Sequence, residues 1–291
     1  MRIFLTGGTG FIGSYVLSAA LEAGHEVLAM RRSSTSVPVI PLSRQPHWCQ
    51  CDLASIESHQ LQGIDVLLHL AAAGVSPKPA SWSQLEHVNV AGSLRLIELA
   101  VEAEVRRFVV SGTCHEYGNI ARRYDAIPPD ASLEPMNPYG ASKAASFHLM
   151  RSFAMLEGQE LFYGRIFSAY GEGQFAGNFW PSLRRAALAG EDFNMTSGRQ
   201  VCDFIPAAMV ASHLLAACSR PDVLAGQPSV VNIGSGVPIS LLTFAESEWS
   251  RMGATGRLLP GTFQGRQDQI ERFVPDLRGL KVPAYSSLPK S

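Results

Sequence analysis

Four glycines fall within the seven residues Gly7 to Gly13, in the opening Arg2-Ile3-Phe4-Leu5-Thr6-Gly7-Gly8-Thr9-Gly10-Phe11-Ile12-Gly13. A short apolar run precedes them, and an apolar-periodic segment from Tyr15 to Ala23 follows. Strand, tight turn and helix in that order leave few folds open. The turn has to visit positive φ, which glycine does without a steric penalty. A side chain at Gly10 would hold a pyrophosphate off the backbone, and Gly13 lets the helix pack close to the strand. The helix N-terminus then offers free N–H groups and the positive end of a dipole to an anionic ligand.

The rest of the chain repeats the alternation. His25 to Met30 follows Gly24, the expected helix end, and completes a strand–helix–strand unit. Ile64 to Leu70, Phe108 to Ser111 and Glu160 to Phe167 read as further strands, with Trp82 to Ala103 and 139–157 as helices. Such alternation predicts an α/β fold, a doubly wound parallel (Rossmann) sheet. Beyond Tyr170 the pattern breaks into glycine, proline and aromatic residues. The expected division is a nucleotide-binding domain over 1–170, to which 201–235 returns. A smaller C-terminal substrate-binding lobe takes 171–200 and 236–291.

With 291 residues, 46% of them hydrophobic, the chain can bury a sizeable core. A net charge of -1 argues against a nucleic-acid or membrane-surface partner, so an anionic ligand has to be met by locally placed arginines. No apolar run reaches the ~18 residues of a membrane span and no signal peptide is evident, so a cytoplasmic location is expected. The five cysteines, Cys49, Cys51, Cys114, Cys202 and Cys218, show no Cys-x-x-Cys pair, and neither disulfides nor a metal site is expected.

Residues after the second strand of such a sheet select the dinucleotide. A carboxylate there suits the ribose 2′-hydroxyl of NAD, whereas Arg31-Arg32-Ser33-Ser34 suits a 2′-phosphate. NADP(H) is the expected cofactor, and NAD the lesser alternative. Asp52 and Leu53, after a short strand, are placed to meet the adenine, with helix capping as the compatible role of Asp52. His69 reads as a packed strand residue, ahead of small residues on which a cofactor can lie.

Tyr139 and Lys143 stand four apart on one helix face. An adjacent ammonium stabilises a phenolate, so Lys143 is expected to lower the Tyr139 pKa and also to hold a ribose. Thr113, just past a strand end at the edge where ligands bind, can hydrogen-bond a substrate carbonyl or alcohol.

In these motifs the chain resembles extended short-chain dehydrogenase/reductases of the nucleotide-sugar epimerase/dehydratase family. The resemblance runs through Thr6-Gly7-x-x-Gly10-Phe11-Ile12-Gly13, Asp52-Leu53, His69-Leu70-Ala71-Ala72, Asn89-Val90-Ala91-Gly92, Thr113 before Tyr117-Gly118, Tyr139-x-x-x-Lys143 and Arg165 to Gly171. It continues in Asp203-Phe204-Ile205, Asn232-Ile233-Gly234-Ser235-Gly236 and Arg266-x-Asp268.

The resemblance implies a nucleotide-diphosphate sugar whose C4 exchanges hydride with nicotinamide, Tyr139 as acid/base and Thr113 orienting the C4 oxygen. It also implies cofactor contacts from Gly7, Gly10, Phe11, Ile12, Gly13, Asp52, Leu53, Leu70, Ala71, Ala72, Asn89 and Lys143. Arg266 would meet the sugar-nucleotide pyrophosphate, with Asn178 and Arg199 as lesser candidates in the same lobe. A homodimer through a four-helix interface built from 82–103 and 139–157 is likewise implied.

Departures narrow the reaction. The 4,6-dehydratases carry Asp-Glu after the threonine, and this chain has Cys114-His115, which disfavours dehydration. His115 is a candidate acid/base or substrate contact. Ser168 replaces the usual asparagine, and no arginine stands directly before Asp203. The expected activity is NADPH-dependent reduction of a nucleotide-linked 4-keto-6-deoxyhexose to the 4-hydroxy sugar. A nucleotide-sugar 4-epimerase with tightly bound NAD is the first alternative. A non-catalytic dinucleotide sensor is the second, against which the intact Thr113, Tyr139 and Lys143 weigh.

Overall fold

The computed structural model describes residues 1–75, 79–264 and 270–281. In chain order its strands are β1 (Arg2–Thr6), β2 (Glu26–Arg31), β3 (His47–Gln50), β4 (Val66–His69), β5 (Arg107–Thr113), β6 (Glu160–Ile166), β7 (Ser168–Tyr170), β8 (Phe193–Met195), β9 (Val201–Pro206), β10 (Ser229–Ile233), β11 (Pro238–Ser240), β12 (Leu258–Pro260) and β13 (Arg272–Phe273). The helices are α1 (Phe11–Glu22), α2 (Trp82–Leu85), α3 (Gly92–Glu102), α4 (Pro138–Leu156), α5 (Phe179–Ala189), α6 (Ala207–Ala217) and α7 (Leu241–Arg251).

A seven-stranded parallel sheet in the order β10-β6-β5-β4-β1-β2-β3 forms the centre. The strand order reverses between β1 and β4, which opens a crevice at their carboxyl ends. Both faces of the sheet are covered, so its strands are nearly continuous apolar runs. Alternate residues of β1 serve opposite cores: Ile3 and Leu5 pack with Val16, Leu17, Val210 and Leu214 of α1 and α6. Phe4 packs on the other face with Leu96, Ile97, Phe147 and Met150 of α3 and α4.

The lobe has its own core of Trp180, Leu183, Phe244 and Trp249, with Phe204 stacked on Phe244 at 4.0 Å. The stretch 201–235, expected to return to the nucleotide-binding domain, divides between two sheets. β9 pairs with β7, β11 and β13 in a small separate sheet, whereas α6 joins the α1 core and β10 extends the main sheet beside β6. Asp203 joins the two parts: its two oxygens accept the Ser235 and Gly236 amides at 2.6 and 2.7 Å, tying β9 to the turn after β10. The helix expected over 82–103 is also interrupted, by a π-helical turn at Glu86–Ala91 between α2 and α3.

Candidate active site

The glycine turn closes with the Gly10 amide donating to the Gly7 carbonyl at 2.9 Å, and Gly7 sits at φ +76°. A Cβ on Gly7 would lie 2.7 Å from the Ala71 nitrogen, so the turn rests on the Leu70–Ala71 backbone beyond β4. A Cβ on Gly13 would overlap the Gly7 carbonyl oxygen, whereas one on Gly10 would meet only that oxygen, at 3.2 Å. The backbone is therefore open above Gly10. No side chain caps α1, and its first-turn N–H groups, from Phe11 to Gly13, face that opening. These features fit a dinucleotide pyrophosphate.

At the end of β2, the Arg31 guanidinium lies 4.6 Å from the Trp48 ring centre, and its buried Nε has no hydrogen-bond partner among the described residues. Arg32 is exposed. Asp52 uses Oδ1 to accept the Ala54 and Ser55 amides and the Ser55 hydroxyl, at 3.0, 2.9 and 2.8 Å. These bonds, the Ser55 hydroxyl first, hold its carboxyl below the usual range. Leu53 is buried against Gly92.

Between turn and catalytic helix lie two polar clamps. Thr6 Oγ1 accepts the Leu70 and Ala71 amides at 3.2 and 3.1 Å, so its proton goes to His69 Nδ1 at 2.7 Å. His69 is thus assigned the tautomer with Nε2–H, which donates to Ser93 Oγ at 2.9 Å. Asn89, turned inward by the π-helical turn, accepts from the Ala73 amide at 2.7 Å. Its NH2 donates to the Ala73 carbonyl at 3.0 Å and to Ser142 Oγ at 2.9 Å, joining the end of β4 to α4. Both amide hydrogens of Asn89 are spent within the protein, so it positions the pocket wall.

Burial, then the Lys143 charge, pushes the His69 pKa down to about 3. The unfolded chain binds this proton near pH 6.5 and the folded chain refuses it until about 3. Stability is therefore lost as pH falls through that window, by about 1.4 kcal/mol per pH unit from this group. Urea unfolding of wild type and His69→Gln should show the variant's slope flatter by about one proton between pH 6 and 4; equal slopes would refute the assignment.

Asn137 caps α4, its Oδ1 accepting the Gly140 amide at 2.8 Å, with Pro138 in the first turn. A Cβ on Gly140 would overlap the His115 carbonyl oxygen, so α4 packs directly on the turn after β5. Tyr139 is thereby brought beside His115, ring centres 6.3 Å apart and edge-on. Thr113 is buried, and its Oγ1 accepts the His115 amide at 3.3 Å. Lys143 is buried, with no hydrogen bond or ion pair among the described residues.

Lys143 does not bring the phenol into the acidic range. Burial first, then Glu116 and Cys114, raise the Tyr139 pKa above its ordinary value. Burial lowers those of Lys143 and His115, leaving the imidazole neutral at pH 7.

Beneath Thr113 sits a buried network that sequence reading missed in its extent. Glu116 Oε1 accepts the Thr113 amide at 2.9 Å and the Tyr163 hydroxyl at 2.8 Å, while Oε2 pairs with Arg165 Nε at 2.6 Å. Arg165 also donates to Tyr117 Oη and the Pro129 carbonyl and stacks on Phe147 at 4.3 Å. Tyr117 donates to Asn232 Oδ1 at 2.6 Å. Arg165 is the sixth residue of β6, after the buried run Leu161–Gly164, and a charge at that buried position is the signal that could have exposed the pair.

In the lobe, Ser168 opens β7, which pairs with β9. Asn178 precedes α5 without capping it, and Arg199 is exposed. Arg266 lies outside the described residues. A cleft beside α5 is lined by Gly171, Gln174, Trp180, Arg184 and Leu188, and by none of Thr113, Tyr139 and Lys143.

The chain matches the NAD dependent epimerase/dehydratase family model over residues 3–234. It is 27% identical over 251 residues to the dTDP-6-deoxy-L-talose 4-dehydrogenase (NAD(+)) of Aggregatibacter actinomycetemcomitans, covering 84% of this chain and 88% of that one. To the UDP-glucose 4-epimerase of Corynebacterium glutamicum it is 27% identical over 258 residues, covering 81% and 76%. The solved structure of MoeE5 in complex with UDP-glucuronic acid and NAD superposes with a TM-score of 0.81 at 28% identity, covering 100% of this chain and 95% of that one.

Proposed function

The chain belongs to the NAD dependent epimerase/dehydratase family, and on that premise we propose that it reduces a nucleotide-linked 4-keto-6-deoxyhexose at C4, using NADPH. The observation that carries this reading is the pair Arg31 and Arg32 at the end of β2, where NAD binders place a carboxylate. An epimerase returns its hydride within each turnover, whereas a net reductase gains by drawing on reduced NADP. A relative named as an NAD(+) 4-dehydrogenase of a 6-deoxy sugar nucleotide supports hydride exchange at C4 of such a sugar, and Arg31 and Arg32 alone carry the choice of NADPH. Cys114 and His115 stand where dehydratases carry an acid pair directly after the threonine, and the nearby Glu116 carboxylate is committed to the Thr113 amide, Tyr163 and Arg165.

Held by the Gly7–Gly13 turn, Arg31 and Arg32, a dinucleotide would supply the hydride that goes to C4. Thr113 and Tyr139 hold the C4 oxygen, and Tyr139 gives it the phenolic proton, so ketone, hydride and proton balance to the alcohol. Lys143 holds the ribose and its ammonium stabilises the phenolate left behind. His115, neutral and beside Tyr139, contacts the sugar. The substrate diphosphate meets the lobe through Ser168, Asn178, Arg199 and Arg266. Exposed Trp82, Leu149 and Leu156 on α2 and α4 suit a homodimer through those helices.

A second reading, a 4-epimerase, is favoured by the similarity to the Corynebacterium enzyme. Purified protein with dTDP-4-keto-6-deoxyglucose should oxidise NADPH at least about tenfold more efficiently than NADH, and Arg31→Asp should reverse the preference. Interconversion of C4 epimers without added cofactor, and no NADPH consumption, would select the epimerase instead.

A further inference from the structure

We infer that Glu116 is a positioning residue of this site: its carboxylate, fixed by the Thr113 amide, the Tyr163 hydroxyl and the Arg165 guanidinium, sets Thr113 against Tyr139 and keeps a negative charge beside Tyr139 and Lys143. The inference rests on the reading of Thr113, Tyr139 and Lys143 given above.

Glu116 and Arg165 are 0% and 1% exposed, so their charges act with little solvent screening. Stability alone is a poor reason for such a pair, because apolar residues of similar volume often serve as well or better. The surroundings are shaped for the carboxylate. Gly112, the residue before Thr113, has no room for a side chain: a Cβ there would lie 2.8 Å from Glu116 Oε1 and overlap the Tyr163 ring. The bond to the Thr113 amide then spans a single turn, Cys114–Glu116, on whose His115 carbonyl Gly140 of α4 packs. One carboxylate thus registers the end of β5 against the start of α4, the two segments that carry Thr113 and Tyr139.

The titratable groups facing Tyr139 are Glu116, Cys114 and His115 from that turn and Tyr163 from β6, with Lys143 on its own helix. Arg165 meets Glu116. Among the charged groups Glu116 is the anion. It opposes ionisation of the phenol and favours the protonated form of Lys143. Reduction requires the phenol and the ammonium both protonated, so activity is lost when either loses its proton as pH rises. Removing the Glu116 charge moves both losses to lower pH.

Two variants test this in NADPH-dependent reduction of dTDP-4-keto-6-deoxyglucose. Glu116→Gln keeps an acceptor for the Thr113 amide and removes the charge; the alkaline limb of kcat should fall by about one pH unit or more. Glu116→Asp keeps the charge and withdraws it from the Thr113 amide; kcat should drop about tenfold with KM and the limb unmoved. An unmoved limb in the Gln variant, or wild-type kcat in the Asp variant, overturns the inference, and the second result decides alone where Glu116→Gln does not fold. Where the wild type reduces no 4-keto sugar, the functional reading fails separately. The inference is then read from the tyrosinate absorbance of Tyr139, identified by difference against Tyr139→Phe, which should appear at lower pH in Glu116→Gln than in the wild type; the same pH overturns it.

Discussion

Tyr139→Phe should lower kcat by about a thousandfold and leave the fold intact. The substitution removes one oxygen, which makes no hydrogen bond among the described residues, and keeps the ring that packs edge-on to His115 at 6.3 Å. Its loss therefore strands no partner, and the thermal midpoint should hold. Dinucleotide affinity should hold as well, because the glycine turn, Arg31 and Lys143 are untouched. On the proposed reaction, what disappears is the proton for the C4 oxygen. The phenol's raised pKa suits that task, since burial and Glu116 keep the proton in place until an acceptor comes within reach. Steady-state kinetics beside a cofactor titration read both halves. A loss of less than about tenfold in kcat would reassign the proton donor.

Gly13→Ala and Gly10→Ala should fail in different ways, although both belong to one motif. The Cβ at position 13 would overlap the Gly7 carbonyl oxygen and stand 3.1 Å from the Gly8 Cα. Every atom it meets belongs to the Gly7–Gly8 backbone, so no side-chain rotation relieves the clash. A cost of about 3 kcal/mol in unfolding free energy is expected, as for other overpacked sites. The turn would shift with it, and dinucleotide affinity should fall with stability. At position 10 the new Cβ meets only the Gly7 oxygen at 3.2 Å, so stability should change little. The methyl group would instead occupy the open side where a pyrophosphate approaches, and affinity alone should fall by tenfold or so. Urea unfolding paired with cofactor titration separates the two; equal stability loss in both variants would contradict the geometry.

Much of this division can be seen in particular residues. Thr6, the glycines and the run to Ala23 announce strand, turn and helix, because local backbone demands and apolar periodicity act over a few residues. His69 reads correctly as a packed strand residue, since a histidine on a buried run finds partners more often than it finds a substrate. The tautomer of that histidine, by contrast, depends on Thr6 and Ser93, 63 and 24 residues away. Asn89 sits in a family motif, yet its amide is committed to Ala73 and Ser142 by a π-helical turn that no periodicity reveals.

By itself the sequence determined the alternation of strands and helices through β6, the glycine turn, and which candidate groups have the chemistry to move a proton or bind a phosphate. Those follow from steric limits and side-chain chemistry that each residue carries wherever it stands. Only the tertiary structure decided that the phenol is raised and not acidified, that β9 leaves the main sheet, and that Glu116 meets Arg165 under Thr113. Each is set by which distant segments exclude water from one another, and desolvation and charge pairing are properties of that meeting and not of any residue alone.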